Sequence, residues 1–140
     1  MKNFNSIDEA LAHIENLAIS SIQRKDSKVA KTIIDTAKEH VISDVYSVYQ
    51  PMQYVRTYKL LNDWSVHKTK KGISVRSDRK DEFGRSIAEK IEYGRGYSFE
   101  FEYSNRPRPF IENTKRELQN SPRLRQAFKE DMARAGLRTN

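Results

Sequence analysis

The sequence predicts an α+β domain: two N-terminal helices, a small, mostly antiparallel sheet with a β-hairpin, and C-terminal helices. Three observations predict it. Apolar residues recur at helical spacing across residues 7–48, the period changes to two across 64–77, and helical spacing returns after Pro109. At 140 residues the chain has room for one domain of ordinary size and not for two.

Ser6-Ile7-Asp8-Glu9 has the pattern of a capping box, in which the serine hydroxyl accepts from the amide three residues on. Behind it Ile7, Leu11, Ile14, Ala18 and Ile22 form one stripe, widened by Ala10 and Leu17, which predicts a helix from Ile7 to Gln23. Asp26 or Ser27 caps a second helix, whose face is Val29, Ile33, Ala37, Val41, Val45 and Val48. Ile34 and Ile42 make that face broader than one buried seam requires. It must end before Pro51, because proline lacks an amide donor and disfavours helical geometry in the residue before it.

Trp64, Val66, Ile73 and Val75 alternate with polar neighbours around Lys70-Lys71-Gly72, the pattern of a short hairpin. Residues 78–86 read as loop. Ile87 to Tyr93 fits a short helix slightly better than a strand, and Gly94-Arg95-Gly96 reads as a turn. Tyr97, Phe99, Phe101 and Tyr103 alternate with Ser98, Glu100 and Glu102, which predicts a strand with one aromatic face turned to the core. Pro109 suits the first turn of a helix lined by Phe110, Thr114 and Leu118. Ser121-Pro122 starts a last helix carrying Leu124, Phe128 and Met132 and closing at Gly136.

Leu, Ile, Val and Phe make up 31 residues, close to the roughly 20% below which highly charged chains stay disordered. The core is therefore expected to be lean, with apolar surface left for a partner subunit. The absence of cysteine excludes disulfides, thiolate metal sites and thiol nucleophiles. His13, His40 and His67 fall in three different elements without metal-ligand spacing, and no P-loop or dinucleotide fingerprint occurs. We expect no enzyme activity, cofactor or metal. With no apolar run of membrane-spanning length and no signal-like N-terminus, a soluble intracellular product is expected.

The net charge of +7 is uneven: residues 1–49 carry 6 basic and 7 acidic groups, and residues 106–140 carry 9 and 4. A basic surface favours polyanions, either nucleic acid or an acidic protein face. Lys68, Lys70, Lys71, Arg76, Arg79 and Lys80 are opposed over residues 66–80 only by Asp78. Such a hairpin suits phosphate or acidic-partner contact, or serves to deter edge-to-edge sheet pairing. A small basic nucleic-acid-binding regulator is the alternative function this cluster suggests.

Two stretches are too idiosyncratic for composition to explain. One is Tyr49-x-Pro51-x-x-Tyr54-x-Arg56-Thr57. The other joins Glu92-Tyr93-Gly94 to Arg106-Pro107-Arg108-Pro109-Phe110. With Ala135-Gly136-Leu137 they resemble the neck and tail-completion proteins of tailed bacteriophages, the small head–tail joining family akin to siphophage tail terminators. Lys59 to Trp64 stands where that family more usually has a glycine-rich segment. The resemblance implies a non-catalytic virion protein assembled in the bacterial cytoplasm. It implies a homo-oligomeric ring, hexameric or dodecameric, at the head–tail junction. Partners would be connector or head-closure proteins, tail tube or terminator proteins, and genomic DNA in the lumen. Tyr49, Pro51, Tyr54, Arg56, Thr57, Glu92, Gly94, Arg106, Pro107, Pro109 and Phe110 would be interface or structural positions, with Arg56 a candidate partner for Glu92. The basic hairpin would face the lumen or an acidic neighbour.

Overall fold

A computed structural model describes residues 6–48, 59–97 and 102–137. Helix α1 (Ile7–Ile22) begins as the sequence predicts, with Ser6 Oγ accepting from the Glu9 amide at 3.1 Å. Ser27 caps α2 (Lys28–His40), its hydroxyl accepting from the Ala30 amide at 3.2 Å. The chain then continues without a break into a π-helical segment, Val41–Tyr46, in which Ser47 N donates to Ile42 O at 2.8 Å. The wider turn holds Val41 and Val45 in the core and leaves Ile42 exposed, so the broad apolar face is met by a change of helical pitch.

A single turn, α3 (Lys59–Asn62), precedes the hairpin, and the sequence reading did not foresee it. Strands β1 (Trp64–Lys68) and β2 (Ile73–Ser77) pair antiparallel, with Val66 opposite Val75 and Lys68 opposite Ile73. Helices α4 (Ile87–Tyr93), α5 (Phe110–Asn120) and α6 (Arg123–Arg134) follow, and Gly136 adopts positive φ just beyond α6. The fold class is the predicted α+β, with a two-stranded sheet among the described residues.

One element differs. Residues 98–101 of the predicted aromatic strand lie outside the described residues, but Glu102 and Tyr103 stand in a turn. Arg106 N donates to Tyr103 O at 3.1 Å, and Asn105, at φ 62°, donates from its amide to Gly94 O at 2.7 Å. The chain must reverse there to bring Arg106–Pro109 against α4, and a strand running on through Tyr103 would prevent it.

The principal core joins Val41 and Val45 to Leu60, Ala88, Ile91 and Phe110, with Trp64 and Ile111 packed against it. A second buried layer, Val29, Ala30 and Ala37 of α2 with Ala127 and Met132 of α6, clasps the C-terminal half of α1. The N-terminal half of α1 behaves otherwise: Ile7, Leu11 and Ile14 remain 79%, 58% and 47% exposed.

Candidate interaction surfaces

The hairpin divides the six cations singled out in the sequence. Lys68, Lys70 and Lys71 gather at the tip, all exposed, and none forms an ion pair among the described residues. Gln23, the residue that ends α1, fixes this tip: its Nε2 donates to Thr69 O and Gly72 O, both at 2.9 Å. Arg76 pairs with Ser65, one residue off the Val66–Val75 register, so it lies on the opposite face of the ribbon from Val66 and Lys68. Arg79 and Lys80 lie beyond β2, where Arg79 O accepts from Ile87 N and Lys80 bridges to Ser86. The compact cationic feature is thus the lysine tip, with Arg76, Arg79 and Lys80 set apart from it.

The second idiosyncratic stretch closes on itself. Gly94 ends α4 in the left-handed conformation (φ 69°), and its Cα faces the Arg106–Pro107 peptide so closely that a Cβ would lie 2.5 Å from Arg106 C. Arg108 N donates to Ile91 O at 2.9 Å, continuing the contact. Glu92, buried at 8% exposure, accepts from the amides of Ile111 at 2.8 Å and Glu112 at 3.0 Å. A carboxylate at this point satisfies two of the amides that a helix start leaves without intrahelical partners, and complements the helix dipole. Pro109 stands at the N-cap of α5, and Phe110 behind it is fully buried. The Arg108 guanidinium lies 4.6 Å from the centre of the Tyr103 ring, a cation–π contact. Arg106 and Pro107 are exposed, and with Tyr93, Arg95 and Pro109 the exposed Pro107 lines an open concavity of about 630 Å³. In this chain Glu92, Gly94, Pro109 and Phe110 join α4 to α5. Tyr49, Pro51, Tyr54, Arg56 and Thr57 lie outside the described residues; both Glu92 oxygens accept backbone amides.

His40 has no metal-ligand spacing to the other histidines, and by sequence alone it reads, like them, as an ordinary surface or boundary residue. In the fold its Nδ1 lies 2.7 Å from Asp44 Oδ2 and its Nε2 3.1 Å from Glu117 Oε1. Only the imidazolium donates from both nitrogens at once. Arg123 Nη1 extends the clamp from Glu117 at 3.0 Å to Glu39 at 2.7 Å, linking α2, α5 and α6. Partial burial opposes charge on the ring, but the hydrogen bonds to Asp44 and Glu117 outweigh it and raise the pKa above 6.5. A raised pKa makes this contribution complete below the unfolded value and removes it as pH rises through the folded one. His40→Gln is therefore expected to lose about 1–2 kcal/mol at mildly acidic pH, and progressively less at alkaline pH. Thermal melts of both proteins across that range would contradict this if their separation stayed constant. The His40–Asp44 spacing of four was visible in the sequence; the third partner, 77 residues away, was not.

The chain, an α+β body, belongs to the YomN family, whose model matches residues 3–134. It is 35% identical over 139 residues to the SPbeta prophage-derived protein YomN of Bacillus subtilis strain 168, covering 96% of this chain and 98% of that protein. Likeness over nearly the whole of both chains makes this a phage-derived protein. No solved structure matches it.

Proposed function

We propose that this chain is a structural protein of a tailed-phage particle, a ring-forming neck or tail-completion subunit that joins the connector to the tail and leaves a channel for DNA. The observation that carries the reading is the balance of apolar surface. Among the described residues eleven apolar side chains are buried, four of them alanines, while nine large ones stay exposed. A body with so lean a core suits a protein whose stability is completed by neighbours in an obligate assembly. The family's prophage-derived member is consistent with a place in a phage particle. The role is one of joining, without catalysis, at the head–tail junction of particles built in the host cytoplasm. The lysine tip of Lys68, Lys70 and Lys71 faces the lumen or an acidic ring beside it.

A phage or prophage lacking this gene is expected to accumulate DNA-filled heads and free tails that do not join, with joining restored by the gene in trans. Normal joined particles from the deletion would overturn the proposal. A second reading, a nucleic-acid-binding regulator, draws on the same lysine tip. It requires sequence-selective binding tighter than the ~10⁻⁴ to 10⁻⁶ M of nonspecific contact.

A further inference from the structure

We infer that two copies of this chain associate head-to-tail, the N-terminal half of α1 of one seating in the groove between α5 and α6 of the next. This rests on the assembly reading above and deepens it by naming the two surfaces. The ridge consists of Ile7, Leu11 and Ile14, which share one face of α1 at helical spacing. Asp8 and Glu15 lie along the solvent side of that ridge, and α1 contains no Lys or Arg. Ala10 and Leu17, on the other side, are half-buried against the body, so the ridge is held in a fixed orientation.

The groove has matching properties. It encloses about 400 Å³ between α2, α5 and α6, with Val29, Leu118, Leu124 and Phe128 as its apolar lining and no carboxylate. Phe128 is 38% exposed within it. Arg125 lines the same groove, Lys129 follows it one turn later on α6, and Lys115 stands one turn before Leu118 on α5. Arg125, Lys129 and Lys115 form no ion pair among the described residues. An apolar ridge edged by carboxylates thus meets an apolar groove edged by cations, and the division of charge between the two ends of the chain acquires a purpose. Like surfaces would set acid against acid or base against base, so charge selects ridge-to-groove contact over ridge-to-ridge or groove-to-groove contact.

A contact between two different patches leaves a free ridge at one end of the pair and a free groove at the other, so it propagates until the rotation closes a ring. Three apolar side chains bury less than the ~800 Å² per partner of a standard interface, so a single contact is weak and closure or the particle completes it.

Sedimentation velocity on the purified full chain, in a concentration series reaching roughly 1 mM, tests this. The wild type should form concentration-dependent species larger than two chains at low salt and dissociate as salt rises. Leu11→Glu and Phe128→Glu, both at exposed positions, should each weaken association at least about tenfold while keeping the wild-type circular dichroism. The decisive sample is their mixture. One variant retains the groove and the other the ridge, so the mixture should form a heterodimer and nothing larger. A wild type that stays monomeric throughout would overturn the inference, as would a mixture that stays monomeric or single variants that associate like the wild type. Variants that lose the fold are replaced by Glu15→Lys and Arg125→Glu, which should weaken association singly and restore it when mixed. These results concern the contact alone; location in the particle is tested separately.

Discussion

Replacing Asp131 with alanine is expected to cost about 3–5 kcal/mol of folding stability, the range for stripping one member from a buried charged network. Its side chain is fully buried, yet all its partners are in place. Oδ1 accepts from Lys28 N and Arg134 Nη2, both at 2.8 Å, and Oδ2 from Val29 N at 2.9 Å and Ser27 Oγ at 3.0 Å. The carboxylate on α6 is therefore a second cap for α2, supplied from 103 residues away. The same residue's carbonyl accepts from Ser21 Oγ on α1 at 2.6 Å, so three helices meet at one position. Alanine would leave the buried Val29 amide, the part-buried Lys28 amide and the Ser27 hydroxyl without their acceptor. Thermal unfolding should fall by roughly 10–20 °C, and a fall of only a degree or two would contradict the assignment. Burial opposes the charge, but hydrogen bonds from the Lys28 and Val29 amides, Arg134 and Ser27 prevail and lower the pKa. A lowered pKa means the contribution is present above the unfolded value near 3.8 and is lost as pH falls through the folded one. The Asp131→Ala penalty should accordingly shrink in strong acid.

Gly94→Ala is expected to be of similar size, for a different reason. A left-handed alanine costs about 1–2 kcal/mol anywhere. Here its Cβ would also lie 2.5 Å from Arg106 C and 2.7 Å from Arg106 O and Pro107 N, all backbone atoms without a flexible end to move. Relief requires Arg106–Pro107 to lift from α4, which breaks the bonds from Asn105 N to Gly94 O and from Arg108 N to Ile91 O. A total of about 3–5 kcal/mol follows. Gly84→Ala is the internal control: φ is +79° there, but nothing lies within 4 Å of the added Cβ. Denaturant unfolding should show the second substitution costing only the conformational strain. Equal effects at both glycines would refute the close-approach argument.

The local devices were legible in the chain itself. Ser6, Pro109 and Gly136 mark helix ends by side-chain chemistry or backbone restriction legible from their neighbours alone, while the start of α2 is narrowed to Asp26 or Ser27 and the fold decides for Ser27. Hairpin alternation fixed residues 64–77 for the same reason. What escaped depends on residues remote in sequence. Asp131 sits on α6 as an unremarkable helix charge until Ser27 and the first amides of α2 are brought to it. Tyr103 fits a strand by period, and only the Gly94–Asn105 contact turns the chain there. Periodicity also identified the stripe on α1 without saying what covers it, since a helical face reads alike whether its partner is intramolecular or another subunit. The six cations formed one cluster by numbering, but pleating and the length of β2 separate them.

The most direct test of the joining role is to locate the chain in purified particles of the phage that encodes it, by cryo-electron microscopy with mass spectrometry of the same preparation. The account predicts several copies per particle, arranged as a ring at the head–tail junction. Particles of constant composition that contain none of it would contradict that role.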